Sequence, residues 1–344
     1  MRRCAGISTA SPATSSNTNR RSWRTPEPAA AIPIARPSMM EKLMRPTSAI
    51  AASCLLLGTQ AGSSVPLTAA GNGHLVVPAF VNGKGTIPFI LDTGADGSHV
   101  YEWFARQQGL KAGTPIRVEG MTGAAMMPTY RLDSLSVDGR TIRHVDVTGM
   151  PDRKDAEIAA GVTGNDLMDG AVAIFDFPCR SVRLLPKPVA MRRLLTKGAV
   201  MVQGGTVAEG TQLTLPVAVN GAKGIAVLDT GSRGTQINPA FAQAAHLDVD
   251  GASFRRGETL YGAAAEAKET RQGEVRTLAF AGRTVTGLSV RIADLPVFRS
   301  FGFGDAPAMI LGINAMMGQR LIYDHEAKRF WFDRSRCHTP AARS

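Results

Sequence analysis

The chain carries one motif twice, and a motif repeated in register commits the sequence to two copies of one structural unit. Ile87-Pro88-Phe89-Ile90-Leu91 runs into Asp92-Thr93-Gly94-Ala95, and Ile225-Ala226-Val227-Leu228 runs into Asp229-Thr230-Gly231-Ser232. An offset of 137 overlays Asp92 to Leu110 on Asp229 to Leu247 without a gap, pairing Gly97 with Gly234, Val100 with Ile237 and Phe104 with Phe241. Further on, an offset of 148 pairs Gly164 with Gly312 and Ile174-Phe175-Asp176 with Ile322-Tyr323-Asp324. Upstream, Val81-Asn82-Gly83 parallels Val219-Asn220-Gly221, and Asn-Gly between apolar runs is a strong hairpin signal.

Between these anchors the runs are short, β-branched and punctuated by Gly, Asn, Asp and Pro, which predicts strands. They cover 75–81, 86–91, 130–137, 141–147 and 171–177, then 212–219, 224–228, 273–280, 284–292 and 320–332. Helices are expected only at 101–108 and 239–245, one step after each Asp-Thr-Gly turn. The predicted fold is all-β and bilobal, with lobes at 73–187 and 212–334, a linker at 188–211, a tail at 335–344 and a cleft between the lobes.

The net charge of +11 invites a nucleic-acid reading, but residues 1–61 hold eight Lys or Arg against two acids and so contribute +6 of it. Elsewhere Lys and Arg are dispersed among Asp and Glu, with no basic stripe interleaved with aromatics, which argues against a nucleic-acid partner. Residues 1–38 are rich in Ser, Pro, Ala and Arg and are expected to be disordered. From 39 to 61 the layout is that of a signal peptide: Lys42 and Arg45, the apolar run from Ala49 to Gly58, then Thr59-Gln60-Ala61. That run is too short for a permanent membrane span, so export to the periplasm or medium is expected. Cys179 and Cys337 would remain in the mature chain, and an oxidising compartment permits one disulfide between them.

On three motifs per half, the chain resembles the aspartic peptidases, and in particular bacterial retropepsin-like members with two fused lobes. The motifs are the two Asp-Thr-Gly turns, the apolar-Gly strands Val162-Thr163-Gly164 and Ile310-Leu311-Gly312, and the hairpin tips Gly120-Met121-Thr122-Gly123 and Tyr261-Gly262. The resemblance implies a pepsin/retropepsin-like double barrel with pseudo-twofold symmetry, acting as a monomer on peptide or protein substrate. It implies Asp92 and Asp229 as catalytic residues and the two Gly-rich tips as flaps. Thr93 and Thr230 would lock the turns together, while Gly94 and Gly231 would admit backbone N–H groups to the carboxylates. Two carboxylates side by side share one proton, so no metal, cofactor or covalent intermediate is needed. Ser232 is expected to donate its hydroxyl to a carboxylate and Ala95 cannot. An Ala95→Ser change should then move the acidic limb of the pH profile downward. Met, Leu and Phe near the site point to apolar substrate side chains.

Two other functions fit parts of the pattern. A non-hydrolytic peptide-binding module could keep the fold, although two carboxylates forced together are costly to retain without use. An actin-like nucleotide fold also places Asp-x-Gly after a strand, but it needs long helices that the sequence does not offer. The six histidines show no metal-ligand spacing.

Overall fold

A computed structural model describes residues 64–152, 159–261 and 267–337. The expected N-terminal extension and signal peptide, Gly262, and residues 338–344 of the tail lie outside the described residues. Two barrels of six strands carry the two halves. In the first, Leu75–Val81, Lys84–Leu91, Gly161–Thr163, His99–Tyr101, Arg140–Met150 and Thr129–Val137 pair in succession. Ala79–Val81 against Leu135–Val137 closes the circle. In the second, Leu213–Val219, Ala222–Leu228, Ala308–Leu311, Thr235–Ile237, Arg283–Ile292 and Arg271–Phe280 do the same.

The Asn-Gly signals sit where the barrels close. Asn82 and Asn220 take positive φ of 50° and 49°, and the glycines after them take 74° and 92°. Such tight turns match the twist of paired strands. The Asn82 side chain also accepts from the N–H groups of Asp133 and Ser134, and Asn220 accepts from Thr277. Each asparagine therefore ties its hairpin to the strand that completes the barrel. Inside, Phe89, Phe104, Leu132 and Val137 fill the first barrel, and Leu215, Leu228, Phe241 and Leu278 the second.

A third sheet of six strands joins the halves, in the order Val65–Pro66, Ser181–Pro186, Ala171–Asp176, Arg320–Asp324, Arg329–Asp333 and Val200–Gln203. Its central pair is antiparallel, with Ile174 facing Ile322. Those two residues are repeat mates at the offset of 148, so the pseudo-twofold axis of the duplication passes between them. Residues 320–332, expected as one strand, form a hairpin of two, turning at Lys328 with φ 51°. The expected linker is also more than a connector. Val200–Gln203 is an edge strand of the shared sheet, and Gly205–Thr206 pairs with Leu213 and Thr214. Among the described residues no helix is long and apolar enough to cross a membrane.

Cys179 and Cys337 are disulfide-bonded, with a sequence separation of 158. The bond joins the turn before Ser181–Pro186 to the chain just beyond Arg329–Asp333, bracketing the shared sheet. Closing so long a loop removes much of the unfolded chain's freedom. Replacing both cysteines by serine should cost about 2–4 kcal/mol of stability, read as a lower midpoint of denaturant unfolding with a somewhat steeper slope, because the unfolded chain without the bond exposes more surface.

Candidate active site

Both Asp-Thr-Gly turns lie at the C-terminal ends of central barrel strands, Lys84–Leu91 and Ala222–Leu228. Each turn is held by the apolar-Gly strand of its own half: Asp92 N–H donates to the Thr163 carbonyl at 2.9 Å, and Asp229 N–H to Leu311 at 3.2 Å. Glycine is required just after those strands. A Cβ on Gly164 would lie 2.5 Å from the Gly97 carbonyl oxygen, and one on Gly312 within 2.6 Å of the Gly234 oxygen. The chain therefore crosses behind each turn at backbone contact distance.

Thr93 and Thr230 bond across the pseudo-axis, as the resemblance implies. The Thr93 hydroxyl donates to the Leu228 carbonyl at 2.8 Å and accepts from Thr230 N–H at 3.1 Å. The Thr230 hydroxyl donates to the Leu91 carbonyl at 2.8 Å and accepts from Thr93 N–H at 3.0 Å. Both side chains are buried. Each such bond is worth about 1 kcal/mol net, but a lost partner leaves a buried polar group costing about 1–3 kcal/mol.

This grip brings the carboxylates together. The Asp92 and Asp229 carboxyls lie close enough for each to act on the other's proton. Each also lies over the glycine of the opposite turn: a Cβ on Gly94 would sit 2.7 Å from the Asp229 carboxyl carbon, and one on Gly231 would sit 2.2 Å from Asp92 Oδ2. Glycine at both places is thus a condition for the contact. Backbone donors complete the pair, with Gly94 N–H to Asp92 Oδ1 and Ser232 N–H to Asp229 Oδ1, both at 2.7 Å. Burial pushes the Asp92 carboxyl up, against the lowering effect of the Gly94 N–H. Burial, reinforced by the Asp92 charge, raises Asp229 well above the usual carboxylate range. One proton shared by the pair is the consequence.

The Ser232 hydroxyl does something other than expected. It donates to the Gly234 carbonyl at 2.9 Å and accepts from the Gln236 amide at 3.2 Å, so only the backbone of Ser232 serves the carboxylate. A serine at 95 would find the equivalent carbonyl at Gly97, which removes the physical basis for a downward shift of the acidic limb.

The first flap, Ile116–Gly120 paired with Gly123–Met127, reaches across the cleft. Glu119 accepts from the Ser300 hydroxyl at 2.8 Å, and Met121 packs on the second-lobe cluster of Leu295, Phe298 and Ile310. Thr122 is fully buried, and Gly123 turns at φ 145°. Tyr261 belongs to a second short hairpin, Leu260–Tyr261 with Ala267–Lys268, whose tip lies outside the described residues. Between flap and dyad runs a cleft lined by Gly120, Met121, Val227, Val297, Phe301 and Ile310.

Sequence reasoning missed the supports behind the turns. The Ser98 hydroxyl donates to Asp166 at 2.8 Å and accepts from Gly164 N–H; the Thr235 hydroxyl donates to Asn314 at 2.8 Å and accepts from Gly312 N–H. Ser98 and Thr235 match at offset 137 and Asp166 and Asn314 at 148, so the pairs are marked in the sequence while their hydrogen bonds, between residues far apart in the chain, are not. Arg233, the repeat mate of Asp96 at offset 137, pairs with Glu258 at 3.2 Å. Among the described residues no cluster of three or more His, Cys, Asp or Glu could hold a metal ion.

A family model described as an aspartyl protease matches residues 77–167 and 215–315, more than half of the chain, with one Asp-Thr-Gly turn in each matched region. No curated protein matches the chain.

The raised Asp229 carboxyl has a consequence for stability. As pH rises past 3.8, the unfolded chain loses this proton while the folded chain keeps it, so folding stability falls until the folded group also ionises. Asp229→Asn does not titrate and keeps an acceptor for Ser232 N–H. Its melting temperature should exceed the parent's by about 2–4 °C at neutral pH, and the gap should close as the pH falls toward the ordinary carboxylate range.

Proposed function

Since the chain belongs to the aspartyl protease family, we propose that it is an active endopeptidase hydrolysing peptide bonds at the Asp92/Asp229 pair. The carrying observation is the contact of two carboxylates, Asp229 buried and Asp92 half-buried, each over the opposite glycine, beneath a flap. In this reading an extended peptide lies along the cleft as an added strand. A water between the carboxylates gives a proton to Asp92 as its oxygen attacks the peptide carbonyl, and Asp229 gives its proton to the carbonyl oxygen. The tetrahedral gem-diol then collapses. Its C–N bond breaks, the leaving nitrogen takes the proton from Asp92, and a diol proton returns to Asp229. The Val227, Val297, Phe301 and Ile310 wall supports a preference for apolar side chains next to the scissile bond.

One chain supplies both carboxylates, which favours a monomer. Export is part of the proposal, supported by the leader-like segment and by the disulfide. N-terminal sequencing of protein recovered from the cell envelope or medium should find a mature end close to Ala61.

Proteome-derived peptide profiling tests hydrolysis. The parent chain should produce defined cleavages, and Asp92→Asn should lower kcat by at least ~100-fold while peptide binding persists. Cleavage unchanged by that substitution would sink the assignment. The pH profile should be bell-shaped. Activity is lost on the acid side as Asp92 takes up a proton and on the alkaline side as Asp229 releases one, with both limbs above the ordinary carboxylate value of 3.8. Ala95→Ser should leave the acidic limb in place.

A further inference from the structure

Two residues outside the motifs brace the turns from the opposite lobe. His74 precedes strand Leu75–Val81, and Gln212 precedes Leu213–Val219. They are repeat mates at the offset of 138 that also relates Val81-Asn82-Gly83 to Val219-Asn220-Gly221. Each reaches the glycine of the other half's Asp-Thr-Gly turn. His74 Nδ1 lies 2.9 Å from the Gly231 carbonyl oxygen, and the Gln212 amide donates to the Gly94 carbonyl at 3.2 Å. A carbonyl oxygen only accepts, so Nδ1 carries the hydrogen. Both side chains are buried. The duplicated unit thus has a second crossed pair of bonds, made by unlike residues, beside the pair made by Thr93 and Thr230.

His74 is fixed for this contact by its own loop. Its N–H donates to Asn72 Oδ1 at 3.2 Å, and its carbonyl accepts from Ala70 N–H at 2.8 Å. Arg233, just beyond the second turn, donates to the Asn72 carbonyl. Loop and turn are therefore fastened twice.

The two crossed contacts end differently. The Gly231 carbonyl and the Ser232 N–H belong to one peptide group, and Ser232 N–H donates to Asp229 Oδ1 at 2.7 Å. A donor on a peptide carbonyl makes the N–H of that peptide a stronger donor, because hydrogen bonds in a chain polarise one another. In the first half Asp92 Oδ1 takes its bond from Gly94 N–H, which belongs to the peptide before the one that Gln212 holds. Gln212 braces a turn, whereas the bond from His74 continues to a carboxylate. Burial raises the Asp229 carboxyl and the Asp92 charge adds to the rise, while Ser232 N–H works against it. The charged groups around this path are Asp92, facing Asp229, and Arg233 with Glu258 and Arg291 beside the loop of His74.

We infer that His74 is a positioning residue for the acid of the pair: through the Gly231–Ser232 peptide it fixes Asp229 and strengthens the hydrogen bond that Asp229 accepts, while its mate Gln212 serves only the shape of the first turn. The inference rests on the peptide-cleaving reading and deepens it.

His74→Leu removes the donor. Its kcat should fall about 10-fold with KM within about twofold of the parent's. The alkaline limb of the pH profile, where Asp229 releases its proton in that reading, should move up by about 0.5 pH unit, because the ionised carboxylate has lost support. His74→Asn and His74→Gln are neutral and keep a side-chain N–H. At least one of them should bring both values back toward the parent's, which separates N–H donation from charge. Gln212→Leu breaks the mate contact and should lower the melting temperature while leaving the alkaline limb in place. An unmoved limb in His74→Leu, a limb restored by neither amide, or an equal shift in Gln212→Leu overturns the inference and leaves hydrolysis standing. Should no peptide be cleaved, NMR of isotope-labelled aspartate carboxyls follows the upper titration step of the pair without turnover. The same shift and rescue there uphold the positioning role without the hydrolysis, and their absence rejects it. Where His74→Leu does not fold, the parent decides: the Ser232 amide proton and the His74 Nδ1 proton should both shift at that titration step, and a His74 proton that ignores it rejects the path.

Discussion

Neither turn is stable alone, because each borrows its hydrogen-bond partners from the other half. The hydroxyl of each threonine is satisfied only by the opposite backbone, and each carboxylate occupies the space that the opposite glycine leaves empty. Placing two acids in contact and out of water is unfavourable, so something must hold them there against their repulsion. The crossed threonine bonds do this at the site, and the shared six-stranded sheet does it at the base of the molecule. The two are connected: the Tyr323 hydroxyl donates to Asn165 Oδ1 at 2.9 Å, and the Asn165 amide donates to the Thr93 carbonyl at 3.3 Å. Strand Arg320–Asp324 of the second half therefore supports the first turn directly.

This dependence explains what was readable from the chain. The repeat, the strands, the Asn-Gly hairpins and the Asp-Thr-Gly turns are local patterns, dictated by the two-residue period and by residues that tolerate tight turns. The flap tip at Gly120 to Gly123 was legible for the same reason. What escaped was set by contacts far apart in sequence. The hairpin at 324–329 is an exception: the polar stretch from Asp324 to Arg329 separates two apolar runs and marks the turn locally, while both strands are buried in the shared sheet. The segment at 188–211 looks like a linker in composition, yet its strand finds a partner more than a hundred residues later. The Ser232 hydroxyl could not be placed either, since its choice between a carboxylate and the Gly234 carbonyl depends on how the turn closes.

The departures from symmetry carry as much chemistry as the symmetry. At offset 137, Asp96 corresponds to Arg233, and the two have taken opposite tasks. Arg233 turns toward Glu258 and the Asn72 carbonyl, fastening the second turn to the N-terminal part of the first lobe. Asp96 receives the incoming segment through Thr211 and leaves its other oxygen toward the cleft. Asn165 and Ile313 differ likewise: Asn165 places an amide on the Thr93 carbonyl, where its mate Ile313 has none to offer, and the tyrosine that orients Asn165 comes from the second half. A duplicated pair of turns with identical surroundings would give two equivalent carboxylates competing for one proton. Unequal surroundings remove the tie, because Asp229 is buried while Asp92 is only half-buried. A base and an acid that must act in one step need that inequality before the substrate arrives. In this chain it comes from divergence in the shells around two turns whose own three residues stayed the same.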